Sequence, residues 1–479
     1  MHNNSLVKLL RTFTPKEISD FKDFLISPYF NKKNSVVKLY EVLRRSYPQF
    51  TGNEISKKNI HGSLFPGKSY NDTNLRVVVH NLNDLAKKFL AYRSFESSQT
   101  EFDFKQFTGL MGKQQFSYLE KILTKLKADL EKESFNADEY NFHKFRLEYE
   151  NIFFLHESHL GVFERFLHKA DFEKAFYYLS SYYYIKSMRL YINVLNLQLI
   201  YNKKFNTAQF EKMISLIDKD LISENPVIEI FYLIIKLFDD GAEEINYYRI
   251  KELLQETRSQ MNISDIREIY INLTNFCNRK ISSGIKKFKK EKFELYKEEN
   301  EIKMYLVNGY MPPVYYKNLV ILALSLNEYN WAKDFISEYK NELPEDSRFN
   351  IYNYCMALYE FDMREFDKAL ELLSKIKFDE LYLKYDSKIL QLMIYYETGS
   401  EESLLSSLEA YRHFLSNNKL LPENKKEIYT NFHKFFSKLF TLKNKKDKTE
   451  LERLKRSIMD DIKIFNKEWI IRKIDEQII

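Results

Sequence analysis

Glycine and proline are scarce in this chain. Its 479 residues include 10 glycines and 9 prolines, about 2% each where soluble proteins average roughly 7% and 5%. The turns of β-rich folds depend on glycine, asparagine-glycine and proline. The scarcity therefore favours an all-α fold whose helices are joined by short polar connections.

Cysteine is also nearly absent. The two cysteines, Cys277 and Cys355, lie in separate apolar helical patterns and offer neither a disulfide framework nor the spacing of a metal site. The first residues lack the apolar core and small-residue cleavage site of a secretion signal. The most apolar run, Val227 to Phe238, is interrupted by Glu229 and Lys236 and is too short to span a bilayer. We therefore expect a cytoplasmic protein without a membrane segment.

A large excess of one charge is missing as well. The formal net charge is +6, from 74 basic and 68 acidic residues, and the charges are interspersed as on solvated helix faces. Basic runs at 279–292 and 443–448 are local and are expected to be solvated. Aromatic residues are abundant, with 39 Phe and 35 Tyr, but large rings fill the gaps between small helices. Their number alone is not evidence for stacking on nucleic-acid bases.

Two segments of the C-terminal half look alike. They run from Tyr315 to Pro344 and from Tyr352 to Phe378, and each has the pattern of two short amphipathic helices around a tight turn. An aromatic residue at the turn and an alanine three residues later recur 37 positions apart, as Tyr329 with Ala332 and Phe366 with Ala369. Periods of this length are typical of helical arrays. Such units bury their apolar faces by stacking on one another.

The two segments resemble tetratricopeptide repeats. The matching residues of the second segment are Ala357, Phe366, Ala369 and Leu373, and those of the first are Leu319, Tyr329, Ala332, Ile336 and Pro344. Two features depart from the family pattern: Val320 stands where a small residue is usual, and neither segment has the usual tryptophan. The resemblance implies a helical solenoid whose concave face binds peptides or other proteins.

The pattern along the chain predicts four regions. These are an N-terminal helical module (1–95), irregular helical hairpins (110–308), repeats like those of the tetratricopeptide family (309–442) and a C-terminal capping helix (443–479). A weaker third repeat is predicted at 386–415. Unbroken helices are predicted over 264–300 and 447–475.

The N-terminal module contains two helix signals. Thr14-Pro15-Lys16-Glu17 is a capping box with proline in the first turn, so a helix is expected to begin there. Asp72 is expected to cap a longer helix that ends near residue 90. Its apolar residues fall on one face at helical spacing, and its polar residues fall on the other. The apolar set is Leu75, Val78, Val79, Leu82, Ala86 and Phe89, and the polar set is Arg76, His80, Asn83 and Lys87.

Residues 55–90 resemble the winged helix-turn-helix of bacterial activators that carry helical repeats. The resemblance rests on the turn Phe65-Pro66-Gly67 and on Asn74-Leu75-Arg76 at the start of the helix. It implies a recognition helix whose exposed Arg76, His80, Asn83 and Lys87 contact DNA, as arginine and asparagine do at base edges. The wing strands expected after this helix are not evident in the sequence that follows. The alternative is a packed helical module whose outer face is simply solvated.

Two motifs resemble catalytic or metal sites without their context. Residues 62–69 (GSLFPGKS) match the phosphate-loop pattern, but the preceding residues are polar and helical where that loop needs a buried strand. His156 and His159 are three positions apart with His168 beyond, but no cysteine or carboxylate cluster completes a metal shell. We therefore expect no catalytic residues, no cofactor and no bound metal.

The sequence predicts a non-catalytic, cytoplasmic protein-interaction scaffold or adaptor. Its partner would be a protein or peptide held on the helical-repeat surface. The alternative is a DNA-binding transcriptional regulator, in which the N-terminal module meets DNA and the repeats form the effector domain.

Overall fold

The computed structural model describes most of the chain, with gaps. The described residues are 4–132, 137–158, 169–201, 203–239, 241, 243–307, 309–377, 381–417, 423–445, 447–459 and 463–478. Across these ranges the regular structure is helical, apart from one isolated bridge between Val307 and Tyr310. The predicted all-α fold is confirmed.

The chain divides into two compact units. The first comprises Met1–Tyr232 with Ser259–Asn262, and the second comprises Leu233–Arg258 with Ile263–Ile479. The division falls within a helix, Pro226–Lys236 (α12). The helices before it are α1 Ser5–Leu10, α2 Pro15–Ile26, α3 Asn34–Arg44, α4 Lys57–Leu64, α5 Asp72–Glu96, α6 Gln99–Met111, α7 Phe116–Leu130, α8 Ala137–Ser158, α9 Phe172–Tyr201, α10 Ala208–Ser215 and α11 Lys219–Glu224.

The second unit contains the remaining helices. They are α13 Glu244–Thr257, α14 Ile263–Ser282, α15 Lys287–Glu301, α16 Pro313–Ser325, α17 Tyr329–Glu338, α18 Glu345–Asp362, α19 Phe366–Ser374, α20 Leu381–Glu397, α21 Glu401–Asn417, α22 Glu423–Lys445, α23 Lys448–Met459 and α24 Lys467–Ile478. Short 3-10 helices lie at Asn53–Ile55, Arg258–Gln260 and Tyr339–Glu342.

The N-terminal helices α1 to α5 share one apolar core. Phe21 lies at its centre and contacts the rings of Tyr40 and Phe89, each with a centroid distance of 5.1 Å. The predicted capping box is present, because the Thr14 hydroxyl accepts the Glu17 N–H at 3.2 Å and the Glu17 carboxylate accepts the Thr14 N–H at 2.7 Å. The predicted apolar face of α5 is buried in this core.

Helix α5 differs from its predicted bounds at both ends. Asn71, not Asp72, caps it, since the Asn71 side chain accepts the N–H of Asn74 at 3.1 Å. The helix continues to Glu96, and α6 begins three residues later at Gln99. Where the winged-helix resemblance implies strands, the described residues 91–132 form helices and turns.

The long helices predicted over 264–300 and 447–475 are each two helices. The first breaks at Gly284, which has φ +87° and lies between α14 and α15. There the N–H of Ile285 donates to the carbonyl of Lys280 at 2.9 Å, which is the closing bond of a Schellman motif. The second prediction corresponds to α23 and α24.

The two look-alike segments share one turn geometry. Asn327 and Arg364, 37 positions apart, both adopt a left-handed conformation, with φ of 61° and 62°. The next N–H donates back five residues in each case, from Glu328 to Ala323 at 3.0 Å and from Glu365 to Glu360 at 2.9 Å. The second helices then begin at Tyr329 and Phe366, as the sequence predicts.

Helices α15 to α24 enclose a continuous apolar core. Ala332 and Ala369 are fully buried in it, where small side chains let neighbouring helices approach closely. The main contacts of each helix are with helices one or two places along the chain. An ion pair of 2.6 Å between Lys289 and Glu468 also brings α24 to α15.

Candidate functional site

Helix α17 and the 3-10 helix that follows it carry a column of three aromatic rings. Trp331, Phe335 and Tyr339 are four residues apart, so they lie on one face of the helix. The ring centroids of Trp331 and Phe335 are 4.9 Å apart, and those of Phe335 and Tyr339 are 4.8 Å apart, both stacked. Phe293 of α15 meets Trp331 edge-on at 4.8 Å. Phe335 is buried, whereas Trp331 and Tyr339 remain partly exposed.

A groove of about 320 Å³ lies between this column and α15. We call it the α15–α17 groove. Its lining residues are Lys297, Asn300, Glu301, Trp331, Asp334, Phe335, Glu338 and Tyr339. All of them belong to the second unit.

The rim of the α15–α17 groove is acidic. Within the described ranges, the carboxylates of Glu301, Asp334 and Glu338 take part in no ion pair. Lys297 is the cation among the lining residues, and its ammonium is held 2.6 Å from Glu294. An unpaired carboxylate favours a ligand that brings positive charge.

The phenol of Tyr339 reports the same acidic environment. Burial raises the pKa of Tyr339, and the charges of Glu342, Glu338 and Glu301 raise it further. Lys303 acts in the opposite direction but is itself paired with Glu342 at 3.2 Å. The phenol therefore stays neutral, and the partly exposed ring lines the groove, where a cation–π contact can form.

Asn300 adds a buried amide to the groove. Its Oδ1 accepts a hydrogen bond from the Tyr315 hydroxyl at 3.3 Å. Its Nδ2 is buried and has no hydrogen-bond partner among the described residues. Leaving such a donor unsatisfied costs about 1–3 kcal/mol. An acceptor such as a peptide carbonyl would relieve this cost once the Asn300 side chain turns towards the groove.

The groove is suited to binding. Its aromatic rings and carboxylates attract a guanidinium or ammonium group, and its amide retains one unused hydrogen-bond donor. The repeat pattern of the sequence points to Tyr329 and Ala332 of this segment but not to Trp331, Tyr339 and Asn300. The four-residue spacing of Trp331, Phe335 and Tyr339 is the signal that could have revealed the aromatic column. Nothing in the sequence places Asn300 beside it.

Three of the four predicted contact residues of α5 line a second groove. Arg76, His80 and Asn83 line a groove of about 410 Å³ together with Lys57. Lys87 lies one turn farther along the same helix and does not line it. The structure thus brings three of the four side chains to one surface.

Carboxylates offset the charges on this α5 face. The Arg76 guanidinium is 2.6 Å from Asp72, and His80 Nε2 is 3.1 Å from Asp84. Lys87 is 3.7 Å from the same Asp84. Affinity for DNA comes largely from cations that neutralise phosphates, so this pairing weakens the face as a phosphate-binding surface.

The other sequence motifs are also located. Gly62 of the phosphate-loop-like motif lies within α4, and Gly67, with φ +77°, lies in the turn that leads to α5. His156 is exposed on α8 with its Nδ1 3.4 Å from Glu157. His159 and His168 lie outside the described residues. No group of three or more metal-ligating side chains is found in the part of the chain that the structure describes.

Comparison with known proteins does not assign this chain to a family. No protein-family model matches the sequence, and neither a curated protein nor a solved structure shows significant similarity to it. Among the described helices, none combines the length and the apolar character needed to cross a membrane.

Proposed function

We propose that this chain is a non-catalytic scaffold or adaptor that binds a basic peptide segment of a partner protein in the α15–α17 groove. One observation carries the proposal: unpaired carboxylates and two partly exposed aromatic rings line the same groove as an amide whose buried nitrogen lacks an acceptor. These groups match a cationic side chain and the carbonyl beside it. The free, buried cysteines favour a reducing compartment, and we propose the cytoplasm.

A repeat array is the proposed framework for this site. It is supported by the common turn at Asn327 and Arg364 and by helix contacts that stay close along the chain. Gly399, with φ +69°, extends the series, because the next N–H, of Ser400, donates to Tyr395 at 3.0 Å. Stacked units of this kind present an extended surface to a partner, as the likeness to tetratricopeptide repeats implies.

Trp331, Tyr339 and two carboxylates define the proposed recognition. An arginine or lysine of the partner would lie against one of these partly exposed rings, with Asp334 or Glu338 beside its charge. A cation over an aromatic face contributes about 0.5–2 kcal/mol, with the larger values at desolvated sites. Asn300 would donate to the backbone of the bound segment and so fix its position.

A charge reversal with a matched control tests the proposal. Fluorescence anisotropy would measure binding of a labelled peptide rich in Arg and Lys to the full chain. Asp334→Lys is expected to weaken binding at least about tenfold, equivalent to about 1.4 kcal/mol. Glu371→Lys makes the same change of charge 37 positions later, on the exposed face of α19, and should have little effect. Equal losses in both variants, or no preference for basic over acidic peptide, would contradict the proposal.

The second candidate is DNA binding by the N-terminal module. It is favoured by the position of Arg76, His80 and Asn83 around one groove and weakened by the carboxylates beside them. Mobility shift of duplex DNA at two salt concentrations tests it. Salt-sensitive binding that is lost on Arg76→Ala with Lys87→Ala would support the regulator. Binding no stronger than that of a charge-matched control protein would exclude it.

A further inference from the structure

Helix α9 is apolar on two opposite faces. One face packs against α8, which is the most extensive helix–helix contact in the described part of the chain. The buried residues of that face include Ala175, Ile185, Met188 and Ile192. A helix that is apolar all round is normally covered all round. The second face of α9 therefore needs an explanation.

The second face is an exposed stripe with heptad spacing, which we call the α9 stripe. It consists of Phe176, Leu179, Tyr183, Lys186, Leu190, Asn193, Leu197 and Ile200, all of them exposed. The intervals alternate between three and four residues, the pattern of a coiled-coil seam. Six of the eight side chains are apolar or aromatic, and Phe176 and Ile200 are each 70% exposed. The stripe extends about 36 Å along the helix at 1.5 Å per residue.

We propose that the α9 stripe is a dimer interface, in which α9 of a second copy of this chain packs antiparallel to the first. The area supports a partner, because the stripe exposes on the order of 500 Å² of apolar surface, as much as the largest patch of a typical monomer. Stable interfaces bury about 800 Å² on each partner. The apolar area of the stripe is thus more than half of what each partner contributes to a stable interface.

The order of residues in the stripe favours a second copy as the partner. The stripe is symmetric about Met188, so a two-fold axis at this position gives four kinds of layer. These layers pair Phe176 with Ile200, Leu179 with Leu197, Tyr183 with Asn193, and Lys186 with Leu190, each from opposite copies. A two-fold axis requires such a self-complementary surface. In one of these layers the Tyr183 hydroxyl, the only hydroxyl of the stripe, lies opposite the Asn193 amide, the only amide of the stripe.

Lys186 favours the antiparallel over the parallel orientation of the two α9 helices. In a parallel pair Lys186 would face its own copy, which brings two like charges together in an apolar seam. In the antiparallel pair it meets Leu190, against which its aliphatic stem can pack. Its ammonium is held by Asp138 of α8 at 2.6 Å, and Arg189 pairs with the same carboxylate at 2.7 Å. The charge therefore points away from the seam.

The mass of the full chain in solution tests the dimer. Light scattering after gel filtration should give twice the chain mass of 57.9 kDa, falling towards the monomer on dilution. Leu190→Lys places a second ammonium opposite Lys186 and is expected to raise the dimer dissociation constant by at least about tenfold. Leu405→Lys is the matched control, since Leu405 is 55% exposed and Leu190 is 53% exposed. Circular dichroism should show that both variants fold.

Cysteine cross-linking tests the orientation. The native Cys277 and Cys355 are buried, so introduced cysteines report the interface. Oxidation of a mixture of Leu179→Cys and Leu197→Cys chains should give a mixed disulfide, and neither variant alone should form a linked dimer. A wild-type chain that stays monomeric at all concentrations would overturn the proposal, as would a dimer equally resistant to Leu190→Lys and Leu405→Lys. Self-linking by Leu179→Cys alone would overturn the antiparallel arrangement.

Discussion

The buried carboxylate of Asp386 depends on two neighbouring side chains. Lys317 Nζ lies 2.5 Å from its Oδ2, and the Tyr429 hydroxyl donates to its Oδ1 at 2.7 Å. Asp386 is 1% exposed, so removal of Lys317 leaves a charge in the apolar core. Lys317→Met is expected to lower the free energy of unfolding of this region by about 3 kcal/mol. Urea denaturation followed by circular dichroism measures the loss.

An exposed ion pair provides the control for Asp386. Lys22 and Glu41 are 2.8 Å apart, but the side chains are 36% and 37% exposed. Water screens such a pair, so Lys22→Met is expected to cost less than about 1 kcal/mol. Similar losses in the two variants would show that Asp386 does not depend on Lys317.

Glu299 gives a pH dependence with a defined sign. Burial raises its pKa from the ordinary 4.5 to about 7. Between these values the folded chain holds a proton that the unfolded chain has released, so the contribution of Glu299 to stability falls as the pH rises. In Glu299→Gln, the glutamine at this position does not titrate, so this contribution to the pH dependence of stability is lost. The melting temperature of this variant should therefore rise relative to the wild type between about pH 5 and about pH 8.

The test of Glu299 measures the difference in melting temperature between the wild type and Glu299→Gln at each pH. Asp362, whose pKa burial raises to about 6, is present in both proteins and cancels. A difference in melting temperature that is constant with pH would contradict the assigned protonation of Glu299.

Residue identity alone revealed only part of the candidate site. The exposed face of α5 could be predicted, because Arg76, His80 and Asn83 recur at helical spacing within one element. The α15–α17 groove could not, because Asn300 and Trp331 come from different helices. Whether the amide of Asn300 finds a partner depends on tertiary packing, which leaves no periodic signal in the sequence.

At the scale of elements, the left-handed turns between helices recur along the C-terminal half at nearly constant spacing. The left-handed residue of each turn is Asn327, Arg364 or Gly399. Arginine pays a steric cost of about 1–2 kcal/mol in this conformation, whereas glycine does not. Introducing a glycine at one of these turns and removing a glycine from another should therefore have opposite effects on stability.

Arg364→Gly and Gly399→Ala test the common turn. Arg364→Gly is expected to raise the free energy of unfolding by up to about 1 kcal/mol, because it relieves the left-handed strain. Gly399→Ala introduces that strain and is expected to lower it by about 1 kcal/mol. Thermal denaturation of the two variants measures both signs. Destabilisation by Arg364→Gly would show that the arginine side chain matters more than its backbone conformation.

Helix existence was more predictable than helix length. The capping box at Thr14 and the turns before Tyr329 and Phe366 are short-range signals, and the structure has helices beginning at each of them. The break at Gly284 was missed, because a single glycine within a charged helical pattern is compatible with an unbroken helix. Only the backbone hydrogen bond from the Ile285 N–H to the Lys280 carbonyl distinguishes a helix that ends before Gly284 from one that continues through it.

At the scale of the whole molecule, the two proposals together give a bivalent protein. A dimer formed through the α9 stripe would carry two α15–α17 grooves. If both proposals hold, a partner with two basic segments would bind both grooves at once. The second binding event is then intramolecular and gains from the effective concentration that the linker sets.

Bivalent binding can be separated from the affinity of one groove. A peptide with one basic segment should bind the wild type and Leu190→Lys equally, because that substitution lies outside the groove. A peptide with two such segments, tested with a series of linker lengths, should bind the wild type at least about tenfold more tightly than Leu190→Lys. Asp334→Lys should weaken both peptides. An equal affinity of the two-segment peptide for the wild type and Leu190→Lys at every linker length would mean that the dimer does not present two grooves to one partner.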